Sequence, residues 1–230
     1  MTGPLPIDEA RRVRQGADEH AASDVLQALA SDRSVTVRAA LALNPASPAP
    51  LDRALALDPD ERVRALLARR LAGLLPNLAA EEQSRLQHQT YETLAVLVTD
   101  TAVRVRAAVA DVLKDMPQAP RALVLQLAQD AAVMVSAPII RFSPLLNAED
   151  LLTLIAGAQT PGTVIAVAGR PGINAQVSDA IAATADSAAI RALLCNRTAQ
   201  IREATLDALI ARASDHPDWP EPPVHRPELP

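Results

Sequence analysis

The residues of this chain that could do chemistry are few and scattered. Histidines stand at 20, 88, 216 and 225 without metal-ligand spacing, and Cys195 is the single cysteine. A thiolate zinc site needs several sulfur or imidazole donors at short intervals, and no His-Glu-x-x-His occurs. A cysteine and a histidine are nucleophile-and-base types. Cys195, however, follows Leu193 and Leu194 in an apolar run, which predicts burial as a small hydrophobe. Gly169-Arg170-Pro171-Gly172 has the glycines of a phosphate loop but neither the Gly-Lys-Ser/Thr ending nor a strand before it, so it predicts a turn between helices. Glu81 and Glu82 are neighbours, which do not share a helix face, and acids are favoured in a first turn by the helix dipole. The sequence thus predicts no catalytic residue, no cofactor and no metal.

Residues suited to recognition are easier to find. Arg62 and Arg69 lie seven apart on one helical face and Arg70 flanks them. They read as a solvated face, with an acidic partner or a phosphate group docking there as the functional alternative. Trp219 is an aromatic anchor in a proline-rich segment, 214–230, whose composition predicts a disordered tail. Phe142-Ser-Pro-Leu-Leu146 is expected to pack a connector into the core.

These side chains are positioned by a repeated element. Asp100-Thr-Ala-Val-Arg-Val105-Arg106 recurs with the same spacing as Asp32…Val37-Arg38 and Asp58…Val63-Arg64. Asp130…Val135-Ser136 is a weaker copy, and Asp186…Ile190-Arg191 is one residue shorter. Self-similarity of this kind marks stacked helical units, each unable to bury its apolar face alone. The valines are the driving force, at roughly 1.5–3 kcal/mol each when buried, whereas an exposed Asp–Arg pair contributes about 0–1 kcal/mol. The pairs Asp32/Arg38, Asp58/Arg64 and Asp100/Arg106 are therefore expected to align successive repeats.

Helix signals fill the intervals. Asp8 starts a helix to about 17, and a second spans about 22–30. Asn44-Pro45 stops the Val37 helix and Ser47-Pro48 restarts the chain. Asp58 is expected to cap a helix with Pro59 at its first position and Glu61 closing a capping box. A longer helix is expected over about 78–98. Pro138 predicts a kink or an early helix end near Ala137. Asn147 caps the next helix, and pairs follow at 161–168 with 174–184 and 187–195 with 200–212.

The Asp, then Val-Arg spacing resembles HEAT repeats, in which that Asp and Arg form an inter-repeat ladder. Val37-Arg38-Ala-Ala-Leu-Ala-Leu-Asn44-Pro45-Ala-Ser-Pro48 also resembles the leucine-rich repeat variant, another helical solenoid unit. Ala137-Pro138-Ile-Ile-Arg141-Phe142-Ser-Pro-Leu-Leu146, Ile165-Ala-Val-Ala-Gly-Arg170-Pro171-Gly172-Ile173 and Ala192-Leu-Leu-Cys195-Asn196 resemble a family of uncharacterised bacterial proteins, best represented in alphaproteobacteria. That resemblance implies a helical repeat fold and brings no activity.

The fold class expected is all-α, a HEAT-like α-solenoid of stacked hairpins over 1–213, with an N-terminal cap at 1–31, marked repeats at 32–129 and family-like repeats at 130–213. Composition agrees, because nearly half the residues are apolar and they are mostly Ala, Leu and Val, with Tyr91, Phe142 and Trp219 the only aromatics. The net charge of −5 provides no gross footprint for nucleic acid or anionic membrane, no run approaches a membrane span, and the cytoplasm is the expected address. The leading function is a non-catalytic scaffold that binds a protein or peptide. The alternatives are a nucleic-acid binder or DNA glycosylase-type enzyme on a HEAT-like array, and a regulatory module whose tail is the docking peptide.

Overall fold

A computed structural model describes residues 7–74, 83–215 and Trp219. Among the described residues every regular element is helical and there is no strand. This is the α-solenoid-like all-α fold expected from an Ala/Leu-rich composition. The chain divides into two compact units, Met1–Val112 and Leu113–Pro230.

The first unit contains α1 (Ile7–Ala17), α2 (Ser23–Leu29), α3 (Val35–Leu43), α4 (Ala49–Leu55), α5 (Glu61–Leu74), α6 (Gln83–Leu97) and nearly all of α7 (Val103–Leu113). From α1 to α6 each helix packs against the next, and α1, α3 and α5 form one layer. Their apolar faces make the core: Val37, Leu41, Val63, Leu67, Leu71, Val105 and Val109 are all buried. The valine of every full marker therefore lies inside, as its burial energy requires.

Two local starts differ from expectation. Helix α5 begins at Glu61, not at Pro59, because Asp58 spends its carboxylate elsewhere: Oδ1 accepts the Asp60 N–H at 2.9 Å in a local turn and both oxygens accept from Arg38. Likewise Pro48, not Ser47, precedes α4, with no side-chain cap. Residues 1–6 and the segment 75–82, including Glu81 and Glu82, lie outside the described residues.

The second unit contains α8 (Arg121–Ala128), α9 (Val133–Phe142), α10 (Ala148–Ala156), α11 (Pro161–Ala168), α12 (Ala175–Ala182), α13 (Ser187–Cys195) and α14 (Glu203–Arg212), followed by a 3-10 turn, Ala213–Asp215. α9, α11 and α13 pack side by side as one layer, and α10, α12 and α14 form a second. Asn147 caps α10 in a full capping box, with Asp150 N–H donating to Asn147 Oδ1 at 2.9 Å and Asn147 N–H donating to Asp150 Oδ2 at 2.8 Å. Pro138 does not end α9, which continues to Phe142. The backbone bond it removes would have gone to the carbonyl of Met134, a residue at the surface, where water can take that place.

Candidate functional site

The marker residues form a ladder of one design. Arg38 Nε and Nη2 donate to Asp58 at 2.6 and 3.1 Å, and Arg64 Nε and Nη2 donate to Asp100 at 2.5 and 2.9 Å. In each marker the same arginine also reaches back six residues through Nη1: Arg38 to the Asp32 carbonyl, Arg64 to that of Asp58, Arg106 to that of Asp100. Each aspartate closes its own turn by accepting a backbone N–H two residues on, Ser34, Asp60 and Ala102, and Asp130 does so with Ala132. The hydrogen bond to Asp58 raises the Arg38 guanidinium further above its ordinary value. An extra rung was not legible in the marker: Arg12 Nε donates to Asp32 Oδ2 at 2.7 Å. Position 6, where its own marker aspartate would stand, is Pro6.

A second set of rungs is made by asparagines. Asn44 Nδ2 donates to the carbonyls of Gly16 and Asp18 at 2.9 and 3.0 Å, and Asn196 Nδ2 to those of Ala168 and Arg170 at 2.8 and 2.7 Å. Each asparagine follows the end of one helix and holds the end of an earlier helix in the same layer. Helix C-termini leave carbonyls without partners, so a side-chain amide there both satisfies and aligns them. Arg170 does the same from the Gly169–Gly172 turn, donating to the carbonyls of Ile140, Ser143 and Leu146. Its burial lowers the guanidinium below its ordinary value.

These ladders are structural. The arginines singled out for recognition divide. Arg62 is 60 % exposed but paired with Asp60 at 2.7 Å, and that hydrogen bond holds the Asp60 carboxyl at about 2. Arg69 is exposed. Arg70 is a correction, because its side chain is only 6 % exposed and donates to Asp52 and to the Asn44 carbonyl. One residue beyond Arg69 is a rotation of about 100° around a helix, enough to turn it from solvent into the layer.

Trp219 is also a correction. It is 8 % exposed and packs in a cluster with Ala182, Ile190, Leu194 and Leu209. Its Nε1 donates to Ser187 Oγ at 2.7 Å, and the Arg212 guanidinium lies 5.5 Å from the ring centroid. The anchor is thus seated on the chain's own last helices. The rest of the tail, 216–218 and 220–230, lies outside the described residues, as do His216 and His225. His20 stands beside Asp18 and His88 beside Glu92, each at the surface. Among the described residues no three His, Cys, Asp or Glu side chains form a metal-donor group, and no helix is long and apolar enough to cross a membrane.

The largest recess described lies on the layer of α9, α11 and α13. It is an open groove of about 800 Å³, lined by one face of each helix and by Asn196, Arg197 and Thr198 in the turn after α13. On α9 the face is Val133, Ala137 and Arg141. On α11 it is Gly162, Ile165 and Ala166, continued by Gly169 just after the helix, and on α13 it is Ala192 and Cys195. These positions repeat at three- and four-residue spacing, so each helix gives the groove a single stripe. Cys195 corrects the expected burial: Leu193 and Leu194 fill the core, while Cys195 ends the helix exposed in the groove. Phe142 is a further correction at 54 % exposed, since the connector buries Ser143 and Leu146 instead.

The glycines set the depth. A Cβ at Gly162 would fall 2.4 Å from Val133 Cγ2, so only glycine lets α11 approach α9 as it does. A Cβ at Gly169 would fall 2.8 Å from Arg141 Nη2 and 3.2 Å from its Nε. The missing side chain therefore leaves the place that the Arg141 guanidinium takes. The groove was invisible in the sequence because it is made of side chains that are small. The signal that could have found it is Gly162, Ala166 and Gly169 on one helical stripe.

Residues 135–230, less than half of the chain, match the model of a family described as an uncharacterised protein conserved in bacteria (DUF2336). The match takes in nearly all of the groove and the Trp219 cluster. No curated protein matches the chain.

Proposed function

We propose that this protein is a non-catalytic, HEAT-like interaction module of the cytoplasm that binds a segment of another protein along the α9–α11–α13 groove. The observation that carries this reading is the groove itself: a wide, mostly apolar recess on a regular helical layer, with the exposed Val133 in its lining. An exposed apolar recess with a few polar groups at its edge is the usual mark of a binding surface. The reading does not draw on Arg70 or Trp219, which serve the fold.

The nucleic-acid alternative has only the groove's arginines behind it. Bases need aromatic faces to stack on; the one tryptophan is committed to the core, and the exposed Phe142 does not line the groove.

A photoreactive benzoylphenylalanine at Ile165, in the groove, is expected to crosslink a partner protein in the native cell. The same residue at Gln176, exposed on α12 in the other layer, is expected not to. Equal crosslinking from both positions, or crosslinking from Ile165 that survives Cys195→Trp, would count against the groove.

A further inference from the structure

The charges of the second unit are sorted by layer. α9, α11 and α13 carry Arg141 and Arg191 and no acid, and the turn after α13 adds Arg197. α8, α10, α12 and α14 carry Glu149, Asp150, Asp179, Glu203 and Asp207 against Arg121 and Arg212. In a chain of net charge −5 these three helices thus carry no carboxylate within their spans, the acids of the layer being Asp130 and Asp186 in the turns before α9 and α13, neither of which lines the groove.

The groove's cations are also uncommitted. Arg121 pairs with Asp150 and Arg202 with Asp179, and Arg170 is occupied by three carbonyls. Arg141 and Arg197 make no ion pair or hydrogen bond among the described residues, yet both line the groove. Arg141 is held there by the space over Gly169. A guanidinium set in a recess with its donors unused is matched by a carboxylate, which it can take through two parallel hydrogen bonds.

We propose that the groove recognises an acidic peptide segment with apolar side chains between its acids: carboxylates meet Arg141 and Arg197, and the apolar groups lie over the floor at Ala137, Ala166 and Ala192. This deepens the interaction reading above and rests on it. The chemistry favours a peptide over a nucleic acid. The lining offers two cations and a broad apolar floor, where a polyanion would need a continuous basic track and would meet the carboxylates of the other layer.

The test uses the full chain and a random peptide library displayed on phage. Selected peptides are then synthesised with a fluorophore and titrated by anisotropy. Peptides rich in Asp and Glu with interspersed Leu, Met or Phe are expected. Arg141→Glu with Arg197→Glu should weaken them by about tenfold or more, and added salt should weaken them too. Arg104→Glu in the first unit should leave the affinity unchanged. The reversed arginines make no ion pair or hydrogen bond among the described residues, so the thermal melt should be unaltered.

Neutral or basic peptides that bind regardless of the reversal, and are lost only on Cys195→Trp, would overturn the acidic assignment and leave the groove reading standing. If no peptide is enriched, or the enriched peptides bind Cys195→Trp undiminished, the groove reading itself falls. Duplex DNA binding more tightly than any selected peptide at moderate salt, and lost on the same reversal, would overturn the proposal in favour of a polyanion.

Discussion

Arg38 grips both carboxylate oxygens of Asp58, twenty residues ahead, while its third nitrogen holds the carbonyl of Asp32, six residues behind. One guanidinium therefore ties the turn of its own marker to the turn of the next. The pair is nearly dry, with side chains 9 % and 3 % exposed. Removing one partner of a buried pair strands the other charge. Asp58→Ala is expected to cost about 3 kcal/mol in urea unfolding. Arg38→Ala should cost a similar amount, and the double variant should cost less than the sum. Full additivity would mean that the two residues act independently.

Acid should weaken the first unit. In Asp32 and Asp100 burial pushes the carboxyl up, but other contacts outweigh it: the Ser34 N–H and Arg12 for Asp32, Arg64 and the Ala102 N–H for Asp100. Both end below the ordinary 3.8. Their stabilisation is complete above the unfolded-state value and is lost as the pH falls through the lower folded-state value. Asp52 has the opposite sign. Burial raises its carboxyl despite Arg70, so protonation favours its folded form. Urea midpoints should therefore drop below about pH 4. Asp100→Asn should flatten that drop and Asp52→Asn should steepen it. An unchanged slope in Asp100→Asn would contradict this assignment.

The Asp/Arg rungs were legible because they rest on local spacing, repeated three times, and on the burial energy of the valine between them. Helix pairs were legible for the same reason, down to 161–168 and 187–195. What the sequence concealed depends on three-dimensional neighbours. Asn44 reads as a helix stop and Asn196 only as the end of a family-like segment, yet each bonds carbonyls of a helix about a quarter-hundred residues earlier. Arg70 and Arg69 are adjacent letters on opposite sides of the solvent boundary. Trp219 sits in a proline-rich stretch, and only the cluster of Ala182, Ile190, Leu194 and Leu209 explains its burial.

The arginines of α5 should separate by function. Arg70→Ala leaves Asp52 buried without its cation and is expected to cost about 3 kcal/mol. Arg62→Ala, on an exposed pair, should stay within about 0.5 kcal/mol. Thermal melts of the two variants decide this, and equal losses would place Arg70 on the surface after all.

Trp219 is the chain's only tryptophan, so its fluorescence reports one site. Emission should be blue-shifted and shielded from iodide. Trp219→Ala should destabilise the second unit by about 3 kcal/mol, and Arg212→Ala by about 0.5–1 kcal/mol through the lost ring contact. Emission at the wavelength of free tryptophan would contradict the docked position.

Cys195, the only thiol, stands in the groove and is exposed. The most direct measurement is its rate of reaction with a thiol reagent as a selected acidic peptide is titrated in. The rate should fall in step with occupancy, reaching about a tenth or less at saturation, since a seated segment covers the sulfur. A rate that is the same at zero and full occupancy would show that the peptide binds elsewhere and that the groove is not the recognition surface.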